Sequence, residues 1–230
     1  MREIVLDTET TGLEPSQGHR IIEIGCLELS NRTPTGARYH VYINPQRDVP
    51  EEARKISNLS TEFLQDKPLF ADIVDGFIEF IADSPLVIHN AEFDIKFLNS
   101  ELSKAKRSTI PLSRAIDTVH IARKKFPGSP ASLDALCRRF NISLDERKAK
   151  GHGAMLDVEL LAQVYLELLG GKQPGLELVA KSSSASGVVA KRQVAAPRPS
   201  PLAARLNEDE RTRHDALVQG LGPNAIWKMQ

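Results

Sequence analysis

Glu3-Ile4-Val5-Leu6-Asp7-Thr8-Glu9 opens the chain, a short apolar run that ends in two acidic residues. Side chains two apart on a strand point to the same face, so Asp7 and Glu9 converge on one spot if this run is a strand. Carboxylates at a strand end are ordinarily just solvated, and the run alone does not separate that reading from a metal site. Gly12, Pro15 and Gly18 mark the loop that follows, and 20–29 and 39–43 read as two more strands. Three strands in succession imply an antiparallel meander.

Further along, Phe70–Ile81 places Ile73, Val74, Phe77, Ile78 and Ile81 at helical spacing, and 85–89 reads as a short buried strand. Asn90 is placed to cap a helix over 91–105 that carries Phe93, Phe97, Leu98 and Leu102 on one face. A strand over 112–116 and helices over 119–125, 132–140 and 155–169 complete the pattern. A strand meander followed by alternating helix and strand points to an α/β sheet with helices packed on it.

Three residues outside the opening run share its chemistry. Asp94 lies in the first turn of the helix after 85–89, and Asp157 in the first turn of the most apolar helix. Each could simply complement a helix dipole. His152 stands between Gly151 and Gly153, five residues before Asp157, in a basic approach that includes Arg147, Lys148 and Lys150. The flanking glycines leave the backbone free to aim the ring along the helix start. Four carboxylates gathered from three segments would repel one another unless divalent cations lay between them. Hard Mg²⁺ or Mn²⁺ suits all-oxygen ligation, and two such ions about 3.5–4 Å apart can hold the attacking and leaving oxygens of a phosphodiester. Histidine is the natural base for a water near neutral pH.

With those residues in place, Asp7-Thr8-Glu9-Thr10-Thr11-Gly12-Leu13, His89-Asn90-Ala91-Glu92-Phe93-Asp94 and His152-Gly153-Ala154-Met155-Leu156-Asp157 resemble the three motifs of the DEDDh 3′→5′ exonuclease superfamily. Lys124-Lys125-Phe126-Pro127-Gly128 and Ser132-Leu133-Asp134-Ala135-Leu136-Cys137 add a resemblance to the family of proofreading epsilon subunits of bacterial DNA polymerase III. The resemblance implies a ribonuclease H-like exonuclease domain over 1–170, a mixed five-stranded sheet flanked by helices, with a flexible C-terminal tail. It implies that Asp7, Glu9, Asp94 and Asp157 hold two Mg²⁺ or Mn²⁺ ions, with Asp7 bridging them and Asp94 acting through waters, and that His152 is the general base. Thr10, Glu52 and Phe93 would touch the 3′-terminal nucleotide of DNA, beside Asp7, Glu9 and Asp157, and His89 would line the site without ligating. One departure stands out: Ser57-Asn58 precedes Glu62-Phe63 where the family often carries His-Gly.

The tail reads differently from the domain. Residues 181–201 are rich in small residues and proline, with no apolar period, as a flexible linker is. The 36 residues of 171–206 would span about 30–36 Å as a flexible chain. Gln173-Pro174-Gly175-Leu176-Glu177-Leu178 resembles a peptide for the β sliding clamp, with Gln173, Leu176 and Leu178 as its anchors. Asn207-Glu208-Asp209-Glu210 has the form of a capping box and predicts a helix to Gly220. With Leu217, Val218, Leu221, Ile226 and Trp227, segment 207–230 would dock on the catalytic alpha subunit of the polymerase. The family also brings a small accessory theta-type subunit among the expected partners.

Charge agrees with this division. Residues 1–170 hold 21 basic and 25 acidic residues and 171–230 hold 9 and 5, so the net charge of zero is −4 in the domain and +4 in the tail. No window approaches the roughly 18–20 apolar residues that span a bilayer, and the chain opens on charged residues rather than a signal peptide. A cytoplasmic, replisome-associated protein is therefore expected. Cys26 and Cys137 each lie in an apolar stretch and read as buried free thiols. Two other readings stay open: an exoribonuclease of the same superfamily, and a scaffold whose main task is to join clamp and polymerase.

Overall fold

The computed structural model describes residues 1–171 and 207–221. Strands β1 (Arg2–Thr10), β2 (Ile21–Ser30) and β3 (Thr33–Tyr42) form the expected antiparallel meander. Strand β3 starts six residues earlier than its apolar pattern suggests. Thr33 to Arg38 are solvent-exposed on an edge strand and include Pro34 and Gly36, so no alternation marks them.

Two short helices, α1 (Glu51–Ser57) and α2 (Thr61–Gln65), follow, and then α3 (Phe70–Ile81) at the bounds its spacing predicts. Helices of five to seven residues complete too few turns to show a period, so the residues of α1 and α2 carry no helical signal of their own. Strand β4 (Leu86–Ile88) leads into α4 (Ala91–Lys104) through Asn90. Asn90 does not cap with its side chain. Its backbone is left-handed (φ +69°), a conformation asparagine tolerates, and it turns the chain sharply from strand to helix.

The stretch expected as a strand over 112–116 is a 3₁₀ turn, Leu112–Arg114, followed by β5 (Ala115–Asp117). Arg114 holds that turn by donating to the carbonyls of Ser84 at 2.8 Å and Ile81 at 2.9 Å. Then come α5 (Thr118–Lys125), α6 (Leu133–Arg139), α7 (Asp145–Lys150) and α8 (Ala154–Leu168). Helix α7, six residues long, has no counterpart in the apolar pattern of the sequence.

The sheet order is β3-β2-β1-β4-β5, with β4 and β5 parallel to β1, so the sheet is mixed. Alternation along β1 divides the core. Ile4 and Leu6 pack with α3 and α4 on one side, and Val5 packs with α5, α6 and α8 on the other. Cys26 and Cys137 are buried free thiols, one in each cluster.

The C-terminal unit holds α9 (Glu208–Gly220), started by the predicted capping box of Asn207 and Glu210. It buries no residue, and Leu217 and Leu221 are exposed. Gln173, Leu176, Leu178, Ile226 and Trp227 lie outside the described residues. Among the described residues no helix is long and apolar enough to cross a membrane.

Candidate active site

Continuing the β1 alternation past Leu6 places each motif residue. Thr8 falls on the α4 side, and Asp7 and Glu9 fall on the α8 side with Val5. Thr8 donates its backbone N–H and its hydroxyl to the same Oδ1 of Asp94, at 3.1 and 2.7 Å. That carboxylate is almost wholly buried in the first turn of α4.

On the opposite side, Gly25 stands across from Asp7 in the β1–β2 register. A Cβ on Gly25 would lie 2.6 Å from the backbone carbon of Ala154, so only glycine lets the start of α8 press onto β2. This close approach delivers Asp157 to the acidic face of β1. The His152 loop is held from elsewhere: its N–H donates to the carbonyl of Ile56 in α1 at 3.1 Å, and Gly151 takes φ +83° to make the turn. Ligand atoms of Glu9, His152 and Asp157 all lie within 4.8 Å of one another.

The electrostatics are those of closely set, buried carboxylates. Burial, and then the Asp94, Asp157 and Glu9 carboxylates, hold Asp7 well above the usual carboxylate range. Burial and neighbouring Asp157 push Glu9 up to about 8. Asp94 is raised to about 7 by burial, against the two hydrogen bonds from Thr8. Asp157 is raised by burial too, and its Oδ1 is buried with no partner among the described residues. A set of hard oxygen donors, mutually repelling and with one orphaned oxygen, fits divalent cations.

A residue with no assigned role in the sequence enters here. Arg147, from α7, donates to Asp157 Oδ2 at 2.6 Å and lies 2.8 Å from His152 Nδ1, while its other terminal nitrogen pairs with Asp134. Its one signal in the sequence is a basic residue in the approach to His152.

Thr10, Glu52 and Phe93, the expected substrate contacts, line one cleft of about 530 Å³ that also reaches Glu9. The Thr10 hydroxyl is turned into the loop, bonded to the Gly12 carbonyl at 2.7 Å. Phe93 packs against Phe97 with ring centres 5.0 Å apart. His89 is not on the cleft wall: its Nδ1 pairs with the Thr118 hydroxyl at 2.9 Å, and burial lowers its pKa. Ser57 turns inward to the Ala53 carbonyl, and Asn58 ends α1 in the left-handed region.

Comparison with known proteins accords with this geometry. The Exonuclease (RNase_T) family model matches residues 4–165. DNA polymerase III subunit epsilon of Rickettsia felis is 57% identical over 185 residues, covering 79% of this chain and 80% of the relative. That of Escherichia coli K12 is 40% identical over 238 residues, covering 99% and 97%. Among solved structures, the nuclease domain of 3′hExo, a DEDDh family member bound to rAMP, superposes with a TM-score of 0.62 at 16% identity, over 73% of this chain and 91% of that one. Exonuclease X in complex with 5′ overhanging duplex DNA gives 0.55 at 21%, over 73% and 90%. These distant structures share the fold, a mixed five-stranded sheet flanked by helices. On its match to the exonuclease model and its identity to relatives over most of their length, the chain belongs to the DNA polymerase III subunit epsilon family.

Proposed function

We propose that this chain is the proofreading 3′→5′ exonuclease subunit of a DNA polymerase III, removing 3′-terminal nucleotides from DNA as nucleoside 5′-monophosphates. The observation that carries this reading is the meeting of Glu9, His152 and Asp157 within 4.8 Å, on one strand, one loop and one helix, with Glu9 also on the cleft wall. Asp7, Glu9, Asp94 and Asp157 would hold two divalent cations, Mg²⁺ or Mn²⁺. Such ions supply the positive charge that lets these carboxylates ionise together and that stabilises negative charge developing on the phosphodiester.

The chain's own residues do the rest. Asp7 and Glu9 are held by a central strand and Asp157 by the first turn of a buried helix, so the ligand set is preorganised. Asp94, fixed by Thr8, acts at longer range. The His152 imidazole would take the proton from the attacking water at Nδ1, once Arg147 gives that nitrogen up. The water oxygen bonds to phosphorus as the bond to the 3′-oxygen of the penultimate nucleotide breaks, and that oxygen then takes up a proton. Glu52, Thr10 and Phe93 hold the terminal nucleotide along the cleft. A mispaired end frays more readily than a paired one, so entry of a single strand supplies discrimination.

Asp7→Ala tests the assignment: metal-dependent release of nucleotides from a single-stranded DNA should fall by orders of magnitude, and a loss of only a few-fold would sink it. Parallel digestion of matched DNA and RNA oligonucleotides separates this reading from an exoribonuclease.

The tail gives the chain its expected place in the bacterial cytoplasm at the replisome. Segment 173–178 would bind the β sliding clamp, 207–230 the alpha subunit, and a theta-type subunit would bind the catalytic domain. The exposed Leu217 and Leu221 on a helix with no buried residue support docking of α9 on a partner. Truncation after Gly170 should abolish association with the alpha subunit and leave single-strand digestion intact. Retained association would instead place the polymerase contact on the catalytic domain.

A further inference from the structure

Leu13, Ile56 and Phe93 give the cleft wall an apolar stretch, and His19 stands beside it as one of seven polar side chains on the wall. The ring lies directly over Gly12: a Cβ there would fall 2.3 Å from His19 Cε1. Its Nδ1 stands 3.2 Å from the Thr11 hydroxyl. That hydroxyl is buried, with Thr11 1% exposed, and it already accepts the Arg20 N–H at 3.0 Å.

A hydroxyl carries one hydrogen, and the sole acceptor offered to this one among the described residues is His19 Nδ1. Thr11 therefore donates and Nδ1 accepts, which places the proton of the neutral ring on Nε2. Nε2 has no partner among the described residues. Paired groups stand behind the ring. Thr11 N–H donates to the Arg20 carbonyl at 2.9 Å, and the Arg20 guanidinium pairs with the buried Glu101 of α4 at 2.5 and 2.8 Å.

Resting on the exonuclease reading above, we infer that His19 Nε2–H is a substrate-positioning donor to the base of the 3′-terminal nucleotide, at its minor-groove acceptor, N3 of a purine or O2 of a pyrimidine. The apolar stretch formed by Leu13, Ile56 and Phe93 suits a base rather than a phosphate, and the Glu9 and Glu52 carboxylates on the same wall would repel one. A fixed neutral donor matches a neutral acceptor, whereas the nearby Glu52 carboxylate can only accept. The minor-groove edge presents such an acceptor whichever base is there, so one donor grips every terminal nucleotide without reading its sequence. A nuclease that must clear any wrong base needs that tolerance.

The test compares oligodeoxynucleotides ending in deoxyadenosine or in 3-deazadeoxyadenosine, whose N3 is replaced by C–H. The wild-type chain should favour deoxyadenosine by about 3–10-fold, as one neutral hydrogen bond implies, with the difference in KM rather than kcat. His19→Ala and His19→Phe should erase that preference; Phe keeps the packing on Gly12 without the donor. His19→Gln, whose side-chain amide offers an N–H at similar reach, should restore part of it. Melting temperatures confirm that each variant is folded. Equal handling of both ends by the wild type, or an undiminished preference in His19→Phe, overturns the inference. Anisotropy binding of the same two oligonucleotides to Asp7→Ala reads the contact without turnover. Failure of the wild type to cleave either end would then count against the exonuclease reading, and equal affinities against the His19 contact.

Discussion

Arg147 donates to Oδ2 of Asp157 at 2.6 Å, setting a guanidinium against a carboxylate that also belongs to the candidate cation site. Asp157 is buried and Arg147 nearly so, with 7% and 10% of their side-chain surface exposed. The positive charge opposes the rise that burial imposes on Asp157. In this arrangement Arg147 also occupies the Nδ1 side of His152, so it touches a candidate ligand and the candidate base together.

Removing one partner of a buried ion pair costs about 3–5 kcal/mol, because the other charge is left uncompensated. Arg147→Ala should therefore lower stability by roughly that amount in chelator. Saturating Mg²⁺ should shrink the loss, since a cation at Asp157 takes over the guanidinium's role. Urea denaturation with and without metal checks this, and an equal loss in both conditions would contradict it.

The raised carboxylates set the pH dependence of the metal-free protein. With Glu9 at about 8 and Asp94 at about 7, the folded chain keeps protons that the unfolded chain has released. Stability from these groups is fully present below their ordinary range of about 4, and it is lost as pH rises through about 7–8. Melting temperature in chelator should fall across that interval. Glu9→Gln should flatten the fall, and Mg²⁺ should flatten it further by holding the carboxylates ionised. A metal-free melting temperature that climbs from pH 5 to 8 would show the opposite linkage.

Gly25→Ala places a methyl 2.6 Å from the Ala154 backbone and must lift the start of α8 from β2. A loss of about 1–3 kcal/mol is expected, together with weaker Mn²⁺ binding by calorimetry, since Asp157 moves with the helix. Gly76→Ala is the control. Its Cβ would meet Tyr39 at an ordinary 3.9 Å, inside a helix where alanine is the better residue, so metal affinity should be unchanged.

His152→Ala should reduce kcat by about 10²–10⁴ while primer-end affinity, read by anisotropy, stays within a few-fold. A proportional loss of affinity would make the histidine structural.

Some of these features are legible in the residues and others are not, and the division has a physical basis. Period-two alternation through Ile4, Val5 and Leu6 is enough to put Asp7 and Glu9 on one face, and helical spacing sets the bounds of α3. The burial of Cys26 and Cys137 follows from their apolar surroundings in the same way. Helices α1 and α7 are too short to show a period, yet they supply the Ile56 carbonyl that holds His152 and the Arg147 that meets Asp157. Asn90 suggests a side-chain cap but makes a left-handed turn instead, because asparagine serves both purposes.

From its sequence alone this chain is an acidic α/β exonuclease-like domain with a basic tail, and its five principal catalytic candidates can be named. The folded structure decides which partners those residues meet: Thr8 with Asp94 across 86 positions, Gly25 with Ala154, Arg147 with Asp157, His19 over Gly12. Local periodicity encodes backbone conformation and the buried face of each element. It carries no information about the surface that face is pressed against, which is settled only when the two sides of the sheet are packed.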